Sequence, residues 1–343
     1  MPNSRTRARP LPLREGVDPV RIRLADPGQG PRSIPEELRR RFPDRRAELD
    51  AALAAGEVVT ADGTPVTETT RRHRGMDVWT YRAPEPEIPV PFGIDLLYRD
   101  DRLVVVDKPH HLATTPRAGH VTETALVRLR RDLGLDDLAP AHRLDRLTAG
   151  VLLFTVDPAH RAAYQDLFAA RRVRKTYLAV APAPEGTPDV RERYSRIVKT
   201  RGVLQATEGD GEPDAHSVIR LLATRPDPRP GREGERLGLY RLEPTTGRTH
   251  QLRLHMSVLG TPILGDDLYP EIRTVAPGDF SDPLQLLAES IAFQGPVDGK
   301  ERTFHTRRRL DHWPDPVPEP RPDPGESPGE IPDAPAGRRT AFS

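Results

Sequence analysis

Two proline-rich stretches mark where this chain cannot build regular structure. PEPEIPVP (Pro84 to Pro91) and PDPVPEPRPDPGESPGE (from Pro314) set a ring-locked φ and a missing N–H at close intervals. Neither a helix interior nor a central strand tolerates that. The first reads as a stiff linker. The second has too little apolar surface to offset its ordering entropy and reads as disordered. The 343 residues are thereby divided into a mobile arm over 1–32, a helix–helix–hairpin unit over 33–83, the linker at 84–91, a main domain over 92–312 and a disordered tail over 313–343.

Within the small unit, SIPEELRRRF offers Ser33 as a helix cap with Glu36 three residues on and Pro35 in the first turn. A second helix runs from Asp44 with Leu49 and Leu53 on one face and stops at Gly56. EVVTADGTPV is a hairpin turning at Asp62-Gly63, and GMDVWTYRA a further strand. In the main domain LLYRDDRLVVVDKP is a hairpin with a buried strand from Leu103 to Val106. TETALVRLRRDLG is a helix with Leu126, Leu129 and Leu133 on one face and Gly134 as its stop. VLLFTVD is a buried strand, DPAHRAAYQDLFAARRV a helix entered through Pro158, KTYLAVA a strand, and GLYRLEPTTG a strand and turn. THQLRLHMSVLGTP fits either period. Thr249 as a cap, Leu252, Met256 and Leu259 on one face, and Gly260 then Pro262 favour a helix. Strands and helices follow no βαβ rhythm, so the fold class is α+β with a mixed, mainly antiparallel sheet.

Composition removes several functions. Cysteine is absent, which excludes disulfides, thiolate nucleophiles, Cys-ligated zinc and the zinc site of base deaminases. No apolar run approaches the ~20 residues of a membrane span. The Arg- and Pro-rich start, MPNSRTRARPLPLREG, lacks the apolar core of a secretory signal, so the expected compartment is the cytoplasm. A net charge of +1 decides nothing about nucleic acid. Its distribution does more: Arg161 to Lys175 carries five basic residues and one acid, while the tail after Trp313 is acidic until Arg338.

The chemistry-bearing candidate is Asp145 in HRLDRLTAG, set between Arg143 and Arg146 ahead of an apolar strand. Alone it is equally a solvated surface charge. HRLDRLTAG resembles the central motif of the RluA-type pseudouridine synthases, which isomerise uridine in ribosomal and transfer RNA. Three further motifs match in the family's order: LVVVDKP, RVRKTYLAV, and the long TTGRTHQLRLHMSVLGTPILGDDLY, the most specific of the four. The resemblance covers about residues 92 to 312 and makes the main domain a pseudouridine synthase catalytic domain.

That resemblance implies roles. Asp145 is the catalytic aspartate, Tyr177 the active-site tyrosine, and Arg253 the basic residue that pairs with Asp145. Arg143 fills the space left by the flipped base. The reaction breaks the bond from a uracil ring nitrogen to ribose, turns the base and rejoins it through ring carbon 5. It has no redox step and no net hydrolysis, so no cofactor and no metal is required. A carboxylate either attacks the anomeric carbon or takes a proton from the neighbouring ribose carbon, and the sequence leaves both routes open. Tyr177 assists removal of the ring proton or packs under the base. Lys108, Arg171, Arg172, Arg174, Lys175, Arg248 and His250 are expected to contact the RNA, its phosphates above all.

Each of these residues also has a bland reading: Tyr177 as core, Arg253 as surface charge, the RRVRK run as a solvated face, Lys108-Pro109 as a turn. His250 and His255, five apart, do not share a helix face, and no HExxH spacing accompanies them, which argues against a metal site. The small unit distantly resembles the S4-like RNA-binding domain in AAGEVVTADGTPV and GMDVW. Leu147 and Ala149 stand where relatives carry a polar residue and Ser or Thr, and His111 where many carry Gly. Beside the synthase stand two other readings: a catalytically inactive RNA-binding or ribosome-assembly protein on the same scaffold, and a nucleoside hydrolase that would release uracil. The default oligomeric state is a monomer.

Overall fold

Two strands buried on both faces organise the main domain. The structure, a computed structural model, describes residues 9–24, 26, 33–82, 85–117 and 119–318. Strands β4 (Asp95–Arg99) and β5 (Leu103–Lys108) form the expected hairpin, and β7 (Ala149–Thr155) pairs antiparallel with β5. Alternation at period two splits their side chains. Val104, Val106, Leu152 and Phe154 meet helix α3 (Ala125–Leu133) through Leu126 and Leu129. Leu103, Val105, Val151 and Leu153 meet helix α4 (Pro158–Ala169) through Tyr164 and Leu167. Both helices start where the sequence says: Thr124 accepts the N–H of Val127 at 3.2 Å, Asp157 that of Ala159 at 2.8 Å. Gly134 closes α3 at φ +64°.

The rest of the sheet is built from β6 (Ala139–Pro140), β8 (Val173–Pro182), β9 (Val190–Val198), β10 (Thr207–Gly209), β11 (Ala215–Pro226), β12 (Arg236–Pro244), β13 (Leu286–Gln294) and β14 (Glu301–His305). The eleven strands run β10-β9-β11-β12-β8-β13-β7-β5-β4, with β14 on β13 and β6 on β7. Every pairing is antiparallel except β13 with β7. The sheet is mixed and mainly antiparallel, as expected. Strands β9, β10, β11, β13 and β14 were not anticipated. Helix α5 (Gln251–Val258) is the helix expected there and buries Leu252 and Met256 against β8, β11 and β12. Thr249 is not its cap: His250 takes that position at φ +58°, with no side-chain cap bond.

The small unit packs α1 (Ile34–Arg41) and α2 (Arg46–Ala54) on a sheet β1-β3-β2, where β2 is Val59–Thr60 and β3 Asp77–Thr80. Ser33 caps α1 through the Glu36 N–H at 3.4 Å, and the Asp62-Gly63 turn joins Thr60 to Thr64. Two boundaries shift, and the linker is held in place. Within the expected arm, β1 (Val20–Arg23) pairs with β3 and buries Ile22 and Leu24, so this part belongs to the unit's core; residues 1–8, 25 and 27–32 lie outside the described residues. The linker is pinned, because Glu87 accepts the N–H groups of Val121, Thr122 and Glu123. At the far end Trp313 is buried with Leu310 over β8 and β12, so the core extends past 312; residues 319–343 lie outside the described residues.

The parallel contact of β7 with β13 sets Leu287 opposite Ala149 and Ala288 opposite Gly150. Gly150 has φ +111°, and a Cβ there would stand 2.2 Å from the Ala288 carbonyl oxygen. We expect Gly150→Ala to cost ~3 kcal/mol or more in urea unfolding. Gly134→Ala, also at positive φ but facing open space, should cost about 1 kcal/mol. Equal losses would show that conformation alone, not the close approach, requires Gly150.

Candidate active site

Asp145 sits on a loop between β6 and β7, and that loop is gripped by its carbonyls. Thr114 donates its hydroxyl to Leu144 O at 2.8 Å and accepts the Leu144 N–H at 3.2 Å. Lys108 Nζ donates to Arg146 O at 3.2 Å, and His110 Nδ1 meets Leu147 O at 2.7 Å. Lys108 ends β5, and His110 and Thr114 come from the turn that follows it. Lys108 is fully buried and also donates to Pro109 O and Leu112 O at 2.9 and 2.7 Å. Its three ammonium protons meet three carbonyls. In the same turn His111 has φ +65°, a conformation glycine adopts without strain.

The loop forms one wall of a groove of about 1200 Å³. β8 supplies Lys175 and Tyr177, adjacent on the groove face because strand side chains alternate. The turn from β12 into α5 supplies Thr246, Gly247, Arg248 and His250, and α5 supplies Arg253. Gln251 holds that turn, accepting the Arg248 N–H at 3.0 Å and the Thr246 hydroxyl at 2.7 Å. Asp145, Tyr177 and Arg253, distant in sequence, therefore line one cavity.

The partner implied for Arg253 is not the one it has. Its guanidinium donates to Asp266 at 2.8 and 2.5 Å and to Asp267 at 2.8 Å. Asp266 also accepts the N–H groups of Leu268 and Tyr269. Asp267 reaches on to Arg146 at 3.7 Å. The arginines beside Asp145 thus diverge: Arg146 joins this ladder, while Arg143 is exposed in the groove. The Asp145 carboxylate has no hydrogen bond or ion pair among the described residues and faces the cavity.

Asp145 still acts on its surroundings through space. Burial disfavours charge on Arg253, but its hydrogen bonds to Asp266 and the fields of Asp266, Asp145 and Asp267 hold its pKa above the usual arginine value. Burial, then the Asp145 charge, raises the Tyr177 phenol well above its ordinary range. Burial lowers His250 against the pull of Asp145, and brings Lys175 down to about 8 and His142 to about 3. The cavity therefore offers an open carboxylate, a protonated phenol and the basic side chains of Arg143, Lys175, Arg248 and Arg253, a set suited to displacement or proton transfer at a sugar carbon.

Of the expected RNA contacts, Arg143, Arg171, Lys175, Arg248 and His250 line the groove. Lys175 also donates to Thr246 O at 2.7 Å, and Arg248 pairs with Asp214 at 3.2 Å. Lys108 does not line it: burial under three carbonyls makes it a fastener of the Asp145 loop. Arg174 alternates with Lys175 and falls on the other face of β8, and Arg172 is also outside the groove lining. His255 is buried between Ser195 and Ser217. Asp266 and Asp267 were missed as site residues, although they stand inside the closing signature; an acid pair invites a surface reading until its arginine is located.

The profile of a family described as RNA pseudouridylate synthase matches residues 102–258, which include Asp145, Tyr177 and Arg253. An uncharacterised RNA pseudouridine synthase of Synechocystis sp. is 32% identical over 231 residues, covering 64% of this chain and 76% of that protein. The dual-specificity RNA pseudouridine synthase RluA of Escherichia coli is 31% identical over 216 residues, covering 61% of this chain and 90% of RluA. Among solved structures, human RNA pseudouridylate synthase domain containing 1 superposes with a TM-score of 0.51 at 24% identity, over 63% of this chain and 84% of that one; the likeness is one of fold.

Lys108 makes the grip on the loop measurable. Burial, opposed by Asp145, pushes it down to about 7 from 10.5. Between those values the unfolded chain binds this proton and the folded chain does not. The group's contribution to stability therefore rises with pH across that window and is level below it. The unfolding free energy of wild type minus that of Lys108→Met should climb as pH goes from about 7 to about 10; a flat difference would place a charged lysine in the folded chain throughout.

Proposed function

This chain belongs to the RluA-type family of RNA pseudouridine synthases, and on that premise we propose how its groove performs the family's isomerisation. The enzyme converts uridine in RNA to pseudouridine. The observation that carries the assignment of residues is Asp145: a carboxylate without a protein partner, on a loop fastened at three carbonyls, open to a groove it shares with Tyr177 and Arg253.

The bond from uracil N1 to ribose C1′ breaks, the base turns, C5 bonds to C1′, and the C5 proton leaves while N1 gains one. Asp145 either attacks C1′ or removes the proton of the adjacent ribose carbon; both use a carboxylate held in place and not neutralised by a direct ion pair. Arg253 acts on it through its field and forms one wall of the cavity. Tyr177, whose phenol keeps its proton at neutral pH, packs under the uracil and donates a hydrogen bond; it does not serve as a phenolate base.

A uridine within a stem or stacked loop must leave its neighbours, at a cost of a few kcal/mol. Arg143, exposed at the groove, takes the vacated space. Lys175, Arg171, Arg248 and His250 contact the backbone, so binding weakens as salt rises. The substrate is ribosomal or transfer RNA, as the resemblance of the sequence motifs implies, and the small unit adds RNA contacts in the manner of an S4-like domain. The protein works as a monomer in the cytoplasm; among the described residues no helix is long and apolar enough to cross a membrane.

Asp145→Asn should reduce conversion of uridine at least about a thousandfold and leave RNA affinity within about threefold. Pseudouridine mapping of ribosomal and transfer RNA from wild-type and deletion strains reads this directly, and unchanged maps would overturn the assignment. Rescue of a deletion phenotype by Asp145→Asn would favour the inactive assembly protein, and released uracil the hydrolase. Tyr177→Phe should retain conversion within about tenfold. A loss as deep as that of Asp145→Asn would make the hydroxyl the proton acceptor.

A further inference from the structure

Two residues that line the groove, Arg171 and His142, are both tied to Phe168. Helix α4 closes with the Arg171 N–H on Phe168 O at 3.2 Å and the Arg172 N–H on Leu167 O at 2.8 Å. The closing residue, Arg171, has φ +58°, a left-handed conformation that glycine takes freely and an L side chain only with strain. Arg171 is exposed, lines the groove and has no side-chain partner among the described residues.

Phe168, whose carbonyl closes that turn, also stacks on His142, with ring centroids 4.5 Å apart and planes at 18°. His142 Nε2 accepts the backbone N–H of Leu153 at 3.2 Å. An imidazole nitrogen that accepts carries no proton, so the proton of the neutral ring is on Nδ1. Nδ1 has no partner among the described residues, is not enclosed by protein, and belongs to a residue lining the groove. Stacking fixes the plane of the ring and the strand fixes its tautomer. Burial, reinforced by Lys175, keeps the ring neutral.

We propose that Arg171 and His142 form a subsite for one phosphodiester of the RNA strand flanking the target uridine, with Arg171 supplying charge and the His142 Nδ1–H a directed hydrogen bond. The proposal rests on the groove being the RNA site. A guanidinium beside a fixed N–H donor matches two oxygens of a phosphate. It also explains an arginine at a position that glycine would occupy without strain: the side chain is needed there.

The substitutions separate binding from folding. Arg171→Gly should raise the melting temperature, weaken binding of a labelled transcribed stem-loop with a uridine in its loop about three- to tenfold, and lower the salt slope of log Kd by about one. A methylphosphonate placed at each position flanking the uridine should weaken wild type at one position and leave Arg171→Gly indifferent to it. His142→Gln keeps an acceptor where Nε2 stands and loses the donor, so RNA binding should weaken about fivefold with melting and salt slope unchanged. His142→Asn keeps a donor where Nδ1 stands and loses the acceptor, so melting should fall with binding retained. A merely solvated arginine and a merely structural histidine give the reverse: Arg171→Gly with undiminished affinity, and both His142 variants tracking melting alone; either result overturns the subsite. These are binding measurements, so they decide it even if wild type converts no uridine.

Discussion

The site depends on a run of alternating charge, buried at its Arg253–Asp266 end: Arg146, Asp267, Arg253, Asp266. A guanidinium as enclosed as that of Arg253 survives only with partners, because removing a charge from water costs several kcal/mol after relaxation. Asp266 meets that need with both oxygens, and backbone N–H groups satisfy what remains of Asp266. Asp267 extends the run to Arg146, one residue past Asp145. The ladder thus fastens α5 and the segment after it to the Asp145 loop. It also leaves Asp145 without a direct partner. Were Arg253 bound to Asp145, a substrate would have to break a buried salt bridge to reach the carboxylate. With the guanidinium occupied elsewhere, Asp145 keeps the field and loses the obstruction.

Much of this was legible. Strands β5 and β7 announce themselves because both faces are buried, which makes their runs continuously apolar. Helix α3 ends at Gly134, read as its stop, and helix α4 begins at Pro158, read as its entry. Four ordered motifs, no one of them decisive, located Asp145, Tyr177 and Arg253, and the fold brings all three to one cavity.

What was not legible depends on neighbours distant in sequence. Strand β9, VRERYSRIV, buries only Ser195 and Ile197, so its charges hide a one-sided strand. Lys108 was assigned to RNA by its charge, but the three carbonyls that enclose it exist only once a turn has closed around them. The partner of Arg253 lies in a segment read as a signature, without roles for its acids. Arg174 could have been set aside from the strand period alone, since Lys175 and Tyr177 fix which face meets the groove. His250 shows that a helix can be found correctly while its cap is not: the turn is held by the Gln251 side chain, a residue with no capping reputation.

The single parallel pairing in the sheet bears on how the enzyme comes into being. β7 gains β5 as a neighbour, and β6 over Phe154 and Thr155, soon after its own synthesis, but the Ala149–Gly150 end of its other edge waits for β13, made far later in the chain. Until then that end of the strand, beside the Asp145 loop, stays unpaired, a template for the wrong partner. Such non-local closure is slow relative to helix formation. A chain interrupted before Ala288 would carry every residue named at the active site and still lack the strand against which the Asp145 loop is seated. The chemistry is encoded early, but competence is conferred late, and protection of the nascent β7 edge becomes a requirement of biogenesis.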